Sequence, residues 1–158
     1  MNPRFHIGVY LAIVVAILDQ GTKWWVLNAI MIPPRVVPVT PFLNLVLSWN
    51  KGITFGLFNR DHPWMVYVFI GAAVVILAVL LHWMMRATTL MATLGLGLIM
   101  GGAIGNVVDR NRFGAVADFI DFHVAGYHWY AFNLADSAIV CGVILLLLEH
   151  LATARKKV

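Results

Sequence analysis

Long apolar runs, interrupted by a few charged positions, dominate the chain. Four of them are long enough to cross a bilayer, which takes about 20 mostly apolar residues in a helix. The first runs from Ile7 to about Ile30 and contains Asp19 and Lys23. The second, Trp64 to Met85, carries His82 but no acid, lysine or arginine, and the third, Ala87 to Val108, carries no charge. The fourth runs from about Ala131 to Leu148, with Asp136 near its start. Between the first two lies a different texture. Val36, Val37, Val39, Phe42, Leu43, Leu45, Val46 and Leu47 are strand formers, punctuated at the start by Pro33, Pro34, Pro38 and Pro41, and they predict a short twisted sheet lying on the membrane. Gly52 and Gly56 bracket Phe55 and suggest a turn, and residues 58–64 suit an interfacial turn with aromatics at headgroup depth.

Composition agrees with this pattern. Of the 158 residues, 61% are hydrophobic and 11% are charged, where a soluble domain carries about 25% charged residues. The length fits one domain over residues 1–158. The net charge of +4 is scattered, and its one cluster, Arg155-Lys156-Lys157, suits a membrane surface rather than nucleic acid. Cys141 is the single cysteine and lies in an apolar run, so no internal disulfide can form and it is no lipid-attachment signal. Arg4 followed by an apolar stretch resembles the front of a signal peptide. Asp19 and Lys23 then interrupt it without a small-x-small cleavage site, so an uncleaved first span is expected.

Four spans place both termini on one side. Arg4, Arg86 and the basic tail share that side, while Arg35, Lys51, Arg60, Arg110 and Arg112 lie on the other. Totals are equal, but the terminal segments are much shorter, and this density favours cytoplasmic termini. Alternating direction then brings the unusual polar residues to one face: Asp19 and Lys23 in the outer half of span one, Asn106, Asp109 and Arg110 at the end of span three, Asn133 and Asp136 at the start of span four. Ionisable groups in a membrane are costly and mark function by default.

Asp19 and Lys23 are one helical turn apart and read as a structural ion pair tying the first helix to the bundle. Asn106, Asp109 and Arg110 read either as a helix stop or as a functional scaffold. In the strand-like strip after them, Asp118 and Asp121 have opposite parity, so one should face the site and the other water, and parity leaves open which. Asn133 suits the N-cap of the fourth helix, with Asp136 in its first turn. Two aspartates meeting in a partly dry site share a proton, and such a pair can activate water and protonate a carbonyl. Ser48 and Ser137 lack a nucleophile-elbow context. No H-E-x-x-H occurs, and His123 and His128 are spaced wrongly for one helical face, so no metal is expected.

Five stretches together resemble the bacterial lipoprotein signal peptidases, or signal peptidase II: Asp19-Gln20-Gly21-Thr22-Lys23, Asn50-Lys51-Gly52-Ile53-Thr54-Phe55-Gly56, Gly101 to Arg110, Val116-Ala117-Asp118-Phe119-Ile120 and Phe132-Asn133-Leu134-Ala135-Asp136-Ser137. Their order and spacing match across nearly the whole chain. The resemblance implies an all-α polytopic membrane protein with four transmembrane helices, a small periplasmic β-sheet cradle and a short interfacial helix. It implies an inner-membrane aspartic endopeptidase that cuts diacylglyceryl-modified prolipoproteins before the lipidated cysteine, is inhibited by globomycin and needs no cofactor. Its catalytic aspartates fall on Asp118 and Asp136. Asp19, Lys23, Asn50, Gly52, Asn106, Asp109, Arg110, Asn133 and Ala135 match positions that shape the site or hold substrate. The expected partners are prolipoprotein and membrane lipid, with the enzyme a monomer. A small proton-coupled transporter using the same carboxylates as a relay is the alternative. It would place polar groups midway along several spans, and spans two and three lack them.

Overall fold

The computed structural model describes residues 3–52 and 64–155. Four helices carry the chain through the apolar runs: α1 (Pro3–Trp25), continued by a π-helical turn (Val26–Ile30), α2 (Met65–Arg86), α3 (Leu90–Phe113) and α4 (Leu134–Arg155). All four are long and apolar enough to span a bilayer. Between α1 and α2 lie β1 (Val37–Thr40) and β2 (Leu43–Asn50); between α3 and α4 lie β3 (Val116–Val124) and β4 (Tyr127–His128). These strands form one four-stranded antiparallel sheet in the order β1-β2-β3-β4. The interfacial turn expected over 58–64 lies outside the described residues except at Trp64, as does Gly56.

Helix α3 is the axis of the bundle. Of its most apolar stretch 61% is buried, against 22% in α1, 6% in α2 and 11% in α4. Apolar burial drives little helix association in lipid, so close backbone approach must do more of the work. Glycines make that approach. A β-carbon at Gly97 would lie 2.8 Å from the Gly8 carbonyl oxygen, and one at Gly101 would lie 2.7 Å from that of Ala12. One turn further on, a β-carbon at Gly105 would overlap the Asp19 carboxylate. This stripe recurs every four residues and receives α1. A second stripe receives α4: a β-carbon at Gly95 would sit 2.9 Å from the Gly142 oxygen, and one at Gly102 would overlap the Ala135 oxygen.

At one end of the bundle, Ala12, Leu80, Met84, Ala87, Ala92, Leu96 and Met100 form the apolar core. There Thr89 caps α3, its hydroxyl accepting from the Ala92 N–H at 3.1 Å, and Arg4 hydrogen-bonds the Thr88 carbonyl. At the other end, Val26, Met31 and Phe119 pack with Leu45, Leu47 and Ile120, seating the sheet on the end of α1.

The third helix does not stop at Asn106, Asp109 and Arg110. It continues to Phe113 and ends at Gly114, whose φ of 72° closes the cap by returning its N–H to the Arg110 carbonyl at 3.0 Å. Glycine takes this left-handed conformation without strain. The polar side chains stay helical because partners on α1, β3 and α4 satisfy them. At the fourth helix, Ala131 and Phe132 precede the first turn rather than entering it, and Phe132 exchanges backbone hydrogen bonds with Ile120 at 2.8 and 3.1 Å.

Candidate active site

Lys23 lies at the centre of the polar cluster. One α-helical turn after Asp19, it points into α3 and is 2% exposed. Its ammonium is 2.8 Å from Asp19 Oδ2, 2.8 Å from Asp109 Oδ2 and 3.1 Å from Asn106 Oδ1. Asp19 and Asp109 are themselves fully buried. Burying charges this completely is tolerable only with such pairing.

Each of these carboxylates also binds a backbone amide. Asp19 Oδ1 accepts the Ala135 N–H at 3.0 Å, one of the free donors at the start of α4. Asp109 Oδ2 accepts the Ala117 N–H at 3.1 Å, at the start of β3. Ala135 immediately precedes Asp136, and Ala117 immediately precedes Asp118.

Asn133 joins the last two aspartates. Its Oδ1 accepts the Asp136 N–H at 2.9 Å, while Asp136 Oδ2 accepts the Asn133 N–H at 3.2 Å. This reciprocal pair is a capping box, built here with Asn and Asp. The Asn133 side-chain amide donates to Asp118 Oδ1 at 2.7 Å. Asn106 reaches Asp136 as well, its Nδ2 donating to Asp136 Oδ1 at 2.9 Å. Asp118 and Asp136, from a strand and a helix, thus share one asparagine.

Asp118 is buried, and burial is the main cause that raises its pKa to about 6. The Asp136 charge pushes the same way, while hydrogen bonds from Asn50 and Asn133 oppose both. Arg110 lies within electrostatic reach of Asp136, Asp118 and Asp109. Its guanidinium stands over the Phe69 ring at 5.6 Å, and its buried Nε has no hydrogen-bond partner among the described residues. Four carboxylates, Asp19, Asp109, Asp118 and Asp136, therefore face two cations, Lys23 and Arg110.

The residues matched by the resemblance all meet in this cluster, Gly52 only through Asn50. Gly52 lies at its edge: with φ of 92° it donates its N–H to Asn50 Oδ1 at 2.8 Å, and a β-carbon there would meet the Phe69 ring at 2.8 Å. Asp121 goes elsewhere. Strand parity turns it away from Asp118, but it does not face water as expected. It is 7% exposed, covered by Asn44 Nδ2 at 3.0 Å and His128 Nδ1 at 2.9 Å, and His128 stacks on His123 at 5.0 Å. Burial pushes this carboxyl up, but the bonds to His128 and Asn44 together hold it below the usual range.

One residue escaped the sequence reading. Gln20 Nε2 lies 2.8 Å from Asp109 Oδ1, 3.1 Å from the Gly105 carbonyl and 3.2 Å from Asp19 Oδ2. The available signal was an amide side chain within an apolar helix, beside a charge.

Four spanning helices and a polar cluster at one end define a multi-pass membrane protein with a built site. The profile of the family described as signal peptidase (SPase) II matches residues 11–152. Lipoprotein signal peptidases of Rhodopseudomonas palustris (strain TIE-1) and Nitrobacter hamburgensis are 48% and 51% identical to this chain, covering 94% and 90% of it and the same shares of their own lengths. A solved bacterial membrane enzyme superposes with a TM-score of 0.83 at 29% identity, covering 97% of this chain and 92% of that one. The fold and these matches define a membrane protease. The chain belongs to the signal peptidase II family, the lipoprotein signal peptidases.

Proposed function

We propose that the chain is an aspartic endopeptidase that removes signal peptides from diacylglyceryl-modified prolipoproteins, cutting just before the lipidated cysteine. Residues 1–158 form one peptidase domain in the bacterial inner membrane, a monomer with cytoplasmic termini and its site near the periplasmic face. The observation that carries this reading is the bond of Asn133 to both Asp118 and Asp136.

Asp118 holds the proton of the pair, in keeping with its burial and raised pKa. Asp136, whose oxygens accept hydrogen bonds from Asn106 and the Asn133 N–H, serves as the general base. It takes a proton from water as the oxygen attacks the scissile carbonyl. Asp118 gives its proton to the carbonyl oxygen, forming a neutral tetrahedral diol. In collapse, the diol returns a proton to Asp118, and Asp136 gives its proton to the departing amine. The C–N bond breaks, and the acids return to their starting charge. Arg110 stands where it can steady the charge that develops on the substrate. Asp19, Lys23, Asn106, Asp109 and Ala135 hold the frame, while Asn50 and Gly52 shape the edge of the sheet that cradles substrate.

The polar groups gather at one end of the bundle rather than along its middle, which favours a peptidase over a proton-coupled transporter. The test incubates purified protein with a diacylglyceryl-modified precursor, with and without globomycin. Cleavage before the lipidated cysteine, blocked by globomycin, is expected. Unchanged processing after replacement of both Asp118 and Asp136 by asparagine would overturn the reading.

A further inference from the structure

Gln20 performs no chemistry in this mechanism, yet it touches both carboxylates of the frame. Asp19 and Asp109 each have two tasks. Asp19 Oδ1 accepts the Ala135 N–H while its Oδ2 meets Lys23 and Gln20; Asp109 Oδ2 accepts the Ala117 N–H and meets Lys23 while its Oδ1 meets Gln20. Lys23 supplies charge to both. A single ammonium leaves two buried carboxylates close together with one cation between them. Gln20 adds donors without adding charge: its one amide nitrogen faces Asp109 at 2.8 Å and Asp19 at 3.2 Å, and its position is set by the Gly105 carbonyl at 3.1 Å. Arg112 approaches its oxygen at 3.5 Å from the same face of α3.

The path from Gln20 to the reacting groups is short. Through Asp109 it reaches the Ala117 N–H, one residue before Asp118; through Asp19 it reaches the Ala135 N–H, one residue before Asp136. We infer that Gln20 is a positioning residue that, with Lys23, fixes the spacing of Asp118 and Asp136 by yoking the two carboxylates that anchor the amides before them. The inference rests on the peptidase reading for its catalytic consequence, though not for its structural one.

The test compares Gln20→Leu and Gln20→Glu with the full-length protein in micelles. In nitrogen-15 alanine-labelled Gln20→Leu, the amides of Ala117 and Ala135 should exchange with solvent about tenfold faster, while Ala12 in mid-helix is unchanged. On the lipidated precursor, kcat should fall by roughly 10- to 100-fold with KM unaltered, because small misplacements of catalytic groups cost rates of this order. Gln20→Glu adds a pH readout. The new side chain faces Asp19 and Lys23 on α1 and Asp109 and Arg112 on α3; once protonated it again donates a hydrogen. Its activity relative to the parent should therefore recover as pH falls, while that of Gln20→Leu stays flat. Parental alanine exchange in folded Gln20→Leu, a kcat within about twofold of the parent, or a flat pH ratio for Gln20→Glu would each overturn the inference. Should Gln20→Leu not fold, Gln20→Glu compared at two pH values decides alone. If the parent itself fails to cut, the peptidase reading falls while alanine exchange still judges the yoke.

Discussion

Asn133 donates its side-chain amide to Asp118 at 2.7 Å while its carbonyl oxygen caps the helix that carries Asp136. One side chain therefore sets both the direction of α4 and the separation of the two acids. Asn133→Ala should lose the cap, at about 1 kcal/mol, and also the link to Asp118. A modest fall in thermal stability with a much larger fall in kcat on lipidated precursor is expected. Equal, small losses in both would show that the link carries no catalytic weight.

On the proposed mechanism Asp118→Asn should slow processing by roughly 10²- to 10⁴-fold through loss of the general acid, and yet stabilise the protein. An unfolded aspartate titrates at 3.8, and the folded group at about 6. The folded state thus binds this proton more tightly. Its contribution to stability is fully present below pH 3.8 and is lost as pH rises through about 6. Above that range asparagine should be the more stable by up to about 3 kcal/mol, and the gap should close in acid. Thermal unfolding in detergent across this range measures it. The same proton makes kcat/KM of the parent decline as pH rises through that value.

Lys23→Met strands Asp19 and Asp109 without their cation. Breaking a buried pair from one side costs about 3–5 kcal/mol, and here two carboxylates lose the same partner. Adding Asp19→Asn and Asp109→Asn should restore part of the unfolding temperature but not the activity.

At Gly105 a methyl group has no room, since it would overlap the Asp19 carboxylate. Gly105→Ala should therefore cost about 1–3 kcal/mol and disturb the Ala135 anchor. Gly21, by contrast, has open space at its missing β-carbon, so Gly21→Ala is the control: a gain of about 0.5–1 kcal/mol from helix propensity is expected there. Equal unfolding temperatures for the two variants would refute the packing argument.

Asp121→Asn should retain most activity. Its carboxylate is engaged by Asn44 and His128 on the far side of β3. Precursor processing by this variant at less than about a tenth of the parental rate would place the wrong carboxylate outside the site.

Much of this architecture could be read from the chain because membrane helices and strands advertise themselves by composition. Apolar runs mark the four helices, the strand formers of residues 36–47 and the strip at 116–120 mark β1, β2 and β3 but not β4, and period-two alternation separates Asp118 from Asp121. The details that escaped depend on contacts between distant segments. Asn106, Asp109 and Arg110 resemble a helix terminus when seen alone; they stay inside α3 because partners such as Lys23 and Ala117 meet them there. Asp121 resembles a water-facing acid until His128 folds back over it. Gln20 was hidden for the same reason, since its partner Asp109 lies 89 positions away.

The glycine stripes on α3 have a mechanical consequence. Where Gly97 and Gly101 meet α1, the carbonyl oxygens of Gly8 and Ala12 lie against the α3 backbone, and the Leu11 and Val15 side chains close in beside them. Helices joined in this way tilt together when bilayer thickness changes, and Asp19, riding on the same contact line, travels with them. The position of Asp19, and of the Ala135 N–H it holds, is thereby tied to main-chain geometry.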